Sequence, residues 1–135
     1  LTAYLKGRRD FALHNLSLLN LQGSDLSETN FHSCKLEKTN LQNANLHNSD
    51  FARANLSKAN LRDANLSKTY LNHADLELAD LRGANLSYAH LSNTNLRGAN
   101  LCGANLTGAK VSPEQLALAK TNWMTVRPNG RRGLL

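Results

Sequence analysis

Ala44-Asn-Leu-His-Asn48, Ser49-Asp-Phe-Ala-Arg53, Ala54-Asn-Leu-Ser-Lys58 and Ala59-Asn-Leu-Arg-Asp63 are four consecutive lines of one pattern. Leu or Phe returns at every fifth place, from Leu46 through Phe51, Leu56, Leu61 and Leu66 to Leu106. A small residue stands two places before each, and Asn or Asp usually stands directly before it. A helix turns about 100° per residue, so a step of five scatters these leucines around its surface. A strand alternates faces, so the same step flips each Leu to the opposite side. A chain that turns a corner once per pentad points them all inward. Residues two apart on one short extended side share a face, so Ala54 and Leu56 point in while Asn55, Ser57 and Lys58 point out. Successive windings then stack at about the 4.8 Å spacing of paired strands.

The number of sides follows from the aromatics. The chain has three Phe, and Phe11, Phe31 and Phe51 lie twenty residues apart, which puts them on one side of a four-sided coil. The outward Asn20, Asn40, Asn60 and Asn100, with Asp80 completing the series, repeat at the same interval. Stacked amides of this kind bond along the axis of a fibre-like stack. Parallel crossovers favour a right-handed winding. The expected fold is all-β, a right-handed quadrilateral parallel β-helix of about five coils with short helical caps.

The motif Ala-(Asn/Asp)-Leu-x-x, about twenty times in register between Arg9 and Val111, resembles the pentapeptide-repeat family. That resemblance implies the quadrilateral β-helix already argued from the spacing. Four segments are expected: a cap or linker end over 1–8, the β-helix over 9–111, a capping helix over 112–122 and a basic tail over 123–135.

At the first boundary, Leu1, Tyr4 and Leu5 have helical spacing, as a cap over an open solenoid end would need. Arg9, His14 and Leu19 stand at the inward position that later holds Ala, Ser or Thr, and Leu13 and Leu18 point outward. Packing under the cap accounts for these two leucines; contact with a neighbouring domain or a second copy is the alternative. At the second boundary, Ser112-Pro113-Glu114-Gln115 is a helix start, with Ser as N-cap, Pro first in the helix and Gln three after the cap. Leu116, Ala117 and Ala119 make an apolar face for the open end, and Trp123 is expected to pack there as well. Pro128-Asn129-Gly130 marks a turn, followed by a weakly docked tail.

The net charge of +6 is unevenly placed. From Arg9 to Val111 ten Lys/Arg face nine Asp/Glu, so the body is near neutral and the ends carry the excess. Phosphate tracking would need a basic stripe along a face, so nucleic acid is not an expected partner. No apolar run approaches the roughly 18 residues of a membrane span and no signal-peptide pattern occurs, so no membrane partner is expected. Cys34 sits in an inward place and Cys102 in an outward one, more than three coils apart, which excludes a disulfide between them. A reduced, cytoplasmic setting is expected. Met124 is the single Met, which suggests a domain of a longer protein.

No catalytic constellation stands out. Arg8-Arg9-Asp10 with Asn15 imitates a kinase catalytic loop, but no Gly-rich loop or Asp-Phe-Gly accompanies it, and the repeat itself dictates both polar residues. His14, His32, His47, His73 and His90 show no ligand spacing, so neither metal nor cofactor is expected. The Asn-Leu-Ser/Thr triplets that match a glycosylation sequon are generated by the repeat. The interior filled by Leu and Ala leaves no convergent pocket.

One outer cluster departs from the Asn/Ser/Lys background. With twenty residues per coil, His90 is expected to stack on Tyr70, and Tyr88 on Lys68 at the adjoining corner. Exposed aromatics together suit a partner contact; harmless edge packing is the plainer alternative. Leu78 is a further exposed apolar residue. The expected function is therefore a non-enzymatic protein-interaction or scaffold domain. The segment Tyr4 to Phe11 and the ending Ser-Pro-Glu-Gln-Leu…Ala-Lys-Thr-Asn-Trp are similar to the flanks of pentapeptide domains at the C-terminus of cyanobacterial serine/threonine protein kinases. That similarity implies a regulatory or substrate-recruiting domain covalently attached to a kinase. The alternative, DNA mimicry toward gyrase as in some family members, needs a strongly negative surface, and the near-neutral body with basic ends argues against it.

Overall fold

The computed structural model of the chain describes residues 7–133. Parallel bridges join the residue before each central position to the one twenty later, from Asp10–Asn30 and Asn15–Lys35 through to Asn100–Lys120. A regular side of a coil donates three bonds to its neighbours: Leu56 N–H to the Asp75 carbonyl at 2.8 Å, Lys58 N–H to the Glu77 carbonyl at 2.9 Å, and Asn55 N–H to the Cys34 carbonyl at 2.9 Å. Twenty residues in four such sides make one winding.

The core is the column of central residues. Leu46, Phe51, Leu56, Leu61, Leu66 and Leu71 are entirely shielded from solvent, and the small inward residues Ala54, Ala59 and Ala64 lie between them. Phe11, Phe31 and Phe51 share one side, stacked at 6.0 Å and then 4.9 Å between ring centroids. Inward hydroxyls and the thiol donate to main-chain carbonyls, either of the preceding coil, as Thr39 to Leu16, Ser49 to Leu26, Thr94 to Leu71 and Cys34 to Phe11, or of their own coil, as Thr29 to Ser27 and Thr69 to Leu66. Ala, Ser, Thr and Cys are interchangeable there because the polar ones find a partner.

Corners are built by two devices. The third residue of each turn has a positive φ, from Leu13 at 66° to Gly108 at 68°, and most of these residues are not Gly. The Asn or Asp before each central residue accepts, through Oδ1, the N–H two residues on: Asn55 from Ser57 at 3.0 Å, Asn85 from Ser87 at 3.0 Å. This is the Asx turn, which mimics a backbone turn with a side chain. The axial amide ladder is present alongside it, as in Asn40 Nδ2 to Asn20 Oδ1 at 3.2 Å.

Three expectations need correction. The helix, α1, is Pro113–Ala117, and it stops short of 122 because the chain re-enters the winding, with Lys120 bridging Asn100. Trp123 does not pack over the end; it is 68% exposed. Asn122 accepts from Met124 N–H and buried Thr125 donates to the Leu101 carbonyl, so Asn122 to Thr125 form a normal corner that leaves Trp123 and Met124 on its outer rim. Nor is 123–133 a loose tail, since Val126 pairs with Asn105 on one side and antiparallel with Arg132 on the other. Leu13 and Leu18 stand 78% and 73% exposed, since they occupy the outward third places of two turns. Residues 1–6 of the expected N-terminal cap, and Leu134 and Leu135, lie outside the described residues.

Candidate protein-contact site

The Asx turn sets the background against which the site is visible. In the column Asp10, Asn30, Asp50, Tyr70, His90, Lys110, the first three accept from the N–H two residues on. Tyr70, His90 and Lys110 have no side-chain oxygen that can do so. The chain gives up a corner hydrogen bond at three successive levels of this one face.

In exchange, the Tyr70 ring lies flat on the His90 imidazole, with centroids 4.8 Å apart and planes 11° from parallel. Tyr70 is half exposed, so the stack is presented and not buried. At the adjoining corner Lys68, Tyr88 and Gly108 occupy one column, each with positive φ. The Tyr88 ring turns toward Gly108 on the following coil, where a Cβ would collide with it, and not toward Lys68 on the preceding one. The structure therefore brings Tyr70 and His90 into contact, places the Tyr88 ring against Gly108 and not on Lys68 as the sequence reading expected, and leaves Lys68 exposed.

Sequence reading missed Lys110, although the same interval of twenty from His90 points to it. Lys110 bridges His90 and is exposed. It also borders an open groove of about 600 Å³, between Ser92–Thr94 on one coil and Lys110–Ser112 with Gln115 on the next. The groove exists because α1 interrupts the winding there. The aromatic face thus runs, at its C-terminal end, into a cationic and hydroxyl-rich recess.

Other candidates have structural employment. Asp10 and Asn15 accept from Ala12 and Ser17 N–H at 3.0 and 3.1 Å, as ordinary corners. His14 Nε2 accepts from Arg8, which also lies over the Phe11 ring at 4.9 Å. His47 Nδ1 is 2.7 Å from Ser67 Oγ. Among the described residues no three His, Cys, Asp or Glu side chains come together as a metal would require, and no helix is long and apolar enough to cross a membrane. Cys34 and Cys102 are both free thiols, and burial raises the Cys34 thiol above its ordinary pKa.

A filled four-sided solenoid with its chemistry confined to outer rows belongs to the class of repeat scaffolds. The family model for pentapeptide repeats matches in eight copies, over residues 15–53, 44–83 and 79–112. The chain belongs to the pentapeptide-repeat family, and its winding is the right-handed quadrilateral β-helix of that family. It is similar to the pentapeptide repeat protein Rfr23 of the cyanobacterium Cyanothece 51142, with 33% identity over 93% of this chain and 94% of that one, at a TM-score of 0.68. The pentapeptide repeat protein alr5209 of Nostoc PCC 7120 is 30% identical over 90% of this chain and 91% of that one, at a TM-score of 0.50. QnrB1, a plasmid-mediated fluoroquinolone resistance protein, shares the fold at 18% identity over 84% of this chain and 65% of its own, with a TM-score of 0.50. No curated protein matches the chain.

Proposed function

We propose that this chain is a non-enzymatic interaction scaffold that holds a protein partner against the face of Tyr70, Tyr88 and His90, with Lys68 and Lys110 at its margins. The observation that carries the reading is the exposed Tyr70–His90 stack, kept at positions where Asn or Asp would have made a corner hydrogen bond. Rigid aromatic area presented to water is what interface centres are made of, because ordering two short side chains costs little entropy. A rigid coil does not need to reorganise to use it.

The similarity of the flanks to kinase-linked pentapeptide domains extends the proposal: the scaffold recruits substrates for, or regulates, an attached serine/threonine kinase. Two free thiols support a reduced compartment such as the cytoplasm. DNA mimicry toward gyrase is the weaker alternative, because ten Lys/Arg against nine Asp/Glu leave the body without the negative surface that a mimic must present.

Quantitative mass spectrometry of proteins captured by the wild-type chain and by a Tyr70→Ala/Tyr88→Ala variant tests the proposal. A specific partner lost from the variant, with an unchanged circular dichroism spectrum, supports it. Equal capture by both, or no specific partner with either, rejects it. Unchanged DNA supercoiling in the presence of excess protein would remove the mimic alternative.

A further inference from the structure

Arg127 is 92% buried, an unusual place for a guanidinium at the end of a coil whose neighbouring charges, Arg131 and Arg132, have the same sign. Its Nε donates to the Gly133 carbonyl at 2.8 Å, and its backbone N–H to the Arg131 carbonyl at 2.8 Å. The first bond orients the guanidinium, and the second holds the backbone beneath it. Among the described residues no carboxylate lies within ion-pair distance of it, and its terminal Nη groups have no hydrogen-bond partner. No fully buried side-chain nitrogen among the described residues lacks a partner, so these Nη groups reach an open surface.

Arg127 also lines a pocket of about 230 Å³, together with Val111, Pro113, Leu116, Pro128 and Asn129. The volume is below the range of pockets for drug-sized ligands, so the occupant is small. A nearly buried cation left without a counter-charge is costly, and a guanidinium fork matches a carboxylate with two parallel hydrogen bonds. The apolar walls ask for an aliphatic body behind that carboxylate.

We infer that the C-terminal end of the coil holds a binding site for a carboxylate carried on a short aliphatic group, with Arg127 as the anion-binding residue and Val111, Leu116 and Pro128 enclosing the hydrocarbon. A free short-chain acid and the terminal residue of a peptide share this chemistry.

Titration of the ¹⁵N-labelled chain, followed by heteronuclear NMR, tests the site. Hexanoate should give saturable shifts at the Arg127 Nε–H and at the Val111 and Leu116 amides, at least about tenfold tighter than acetate or hexan-1-ol, as one charge-assisted hydrogen bond or a buried chain provides. Acetyl-leucine binding better than hexanoate assigns the site to peptide ends, and the reverse order assigns it to free acids; in either case acetyl-leucine amide should not bind. Arg127→Met should abolish the shifts and Arg127→Lys should weaken them. If Arg127→Met does not fold, the wild-type comparison of hexanoate with hexan-1-ol decides alone. Equal response to the alcohol, tighter binding of inorganic phosphate, or shifts confined to other regions would overturn the inference.

Discussion

The side-chain amide of Gln115 donates to the Leu91 carbonyl at 2.6 Å and to the Thr94 carbonyl at 3.0 Å. One coil earlier the equivalent acceptor, the Ala74 carbonyl, receives the backbone N–H of Asn95. At Gln115 that N–H has turned away to Ser112 Oγ in the capping box of α1, and the side chain takes its place in the ladder. One residue thus starts the helix and stitches it to the coil it interrupts.

Gln115→Ala should therefore destabilise the chain by about 1–3 kcal/mol, the range for leaving a half-buried carbonyl unpaired. Gln115→Glu should be nearly as harmful, since a carboxylate cannot donate to either carbonyl. Urea unfolding followed by circular dichroism measures both.

The turn corners allow gain as well as loss. Lys58 holds φ at 57°, where a side chain costs about 1–2 kcal/mol and Gly does not. Lys58→Gly should stabilise by about 0.5–1 kcal/mol after the entropy of Gly is subtracted. Gly108→Ala should destabilise, because φ is 68° and the new Cβ would meet the Tyr88 ring. Melting temperatures of the two variants should move in opposite directions.

The two thiols should react very differently. Cys34 is 1% exposed, donates to the Phe11 carbonyl, and has a pKa raised chiefly by burial. Cys102 is partly exposed. A thiol reagent at neutral pH should modify one group in the folded chain and two in denaturant. Rapid modification of both without denaturant would contradict the buried placement.

Asp80 accepts hydrogen bonds from the Arg82 guanidinium at 2.9 and 2.6 Å, and these hold its carboxyl below the ordinary carboxylate pKa. A pKa lowered by folding means that the native state releases the proton first. The contribution is present above the unfolded value and is lost as pH falls through the lowered native one. Asp80→Asn keeps the corner oxygen that accepts from Arg82 N–H but removes the charge. It should flatten part of the stability loss below about pH 4 and change little besides, because the pair is partly solvated. Unfolding curves at neutral and acid pH test this.

Much of the fold could be read from residues because one interval repeats. Phe11, Phe31 and Phe51 announce the four sides, and Tyr70 and His90 announce their own stack, since a strict winding turns sequence distance into contact. Lys110 was legible by the same arithmetic. The corners were less so: Lys58, Arg53 and Leu13 adopt positive φ with no Gly to mark it, because neighbouring coils impose the turn on whatever residue stands there. The C-terminal end was hidden by slips in register. Asn105 pairs with Val126 and not with residue 125, so interval-of-twenty reasoning fails there; Trp123 comes out exposed and Arg127 buried.

The placement of residue i beside residue i+20 carries the fold, the contact face and the exclusion of an internal site together. Nuclear Overhauser spectroscopy of the aromatic protons measures it directly. The account predicts strong cross-peaks between the rings of Phe31 and Phe51 and between those of Tyr70 and His90, whose centroids lie 4.9 and 4.8 Å apart. Absence of both cross-peaks in the folded chain would contradict it.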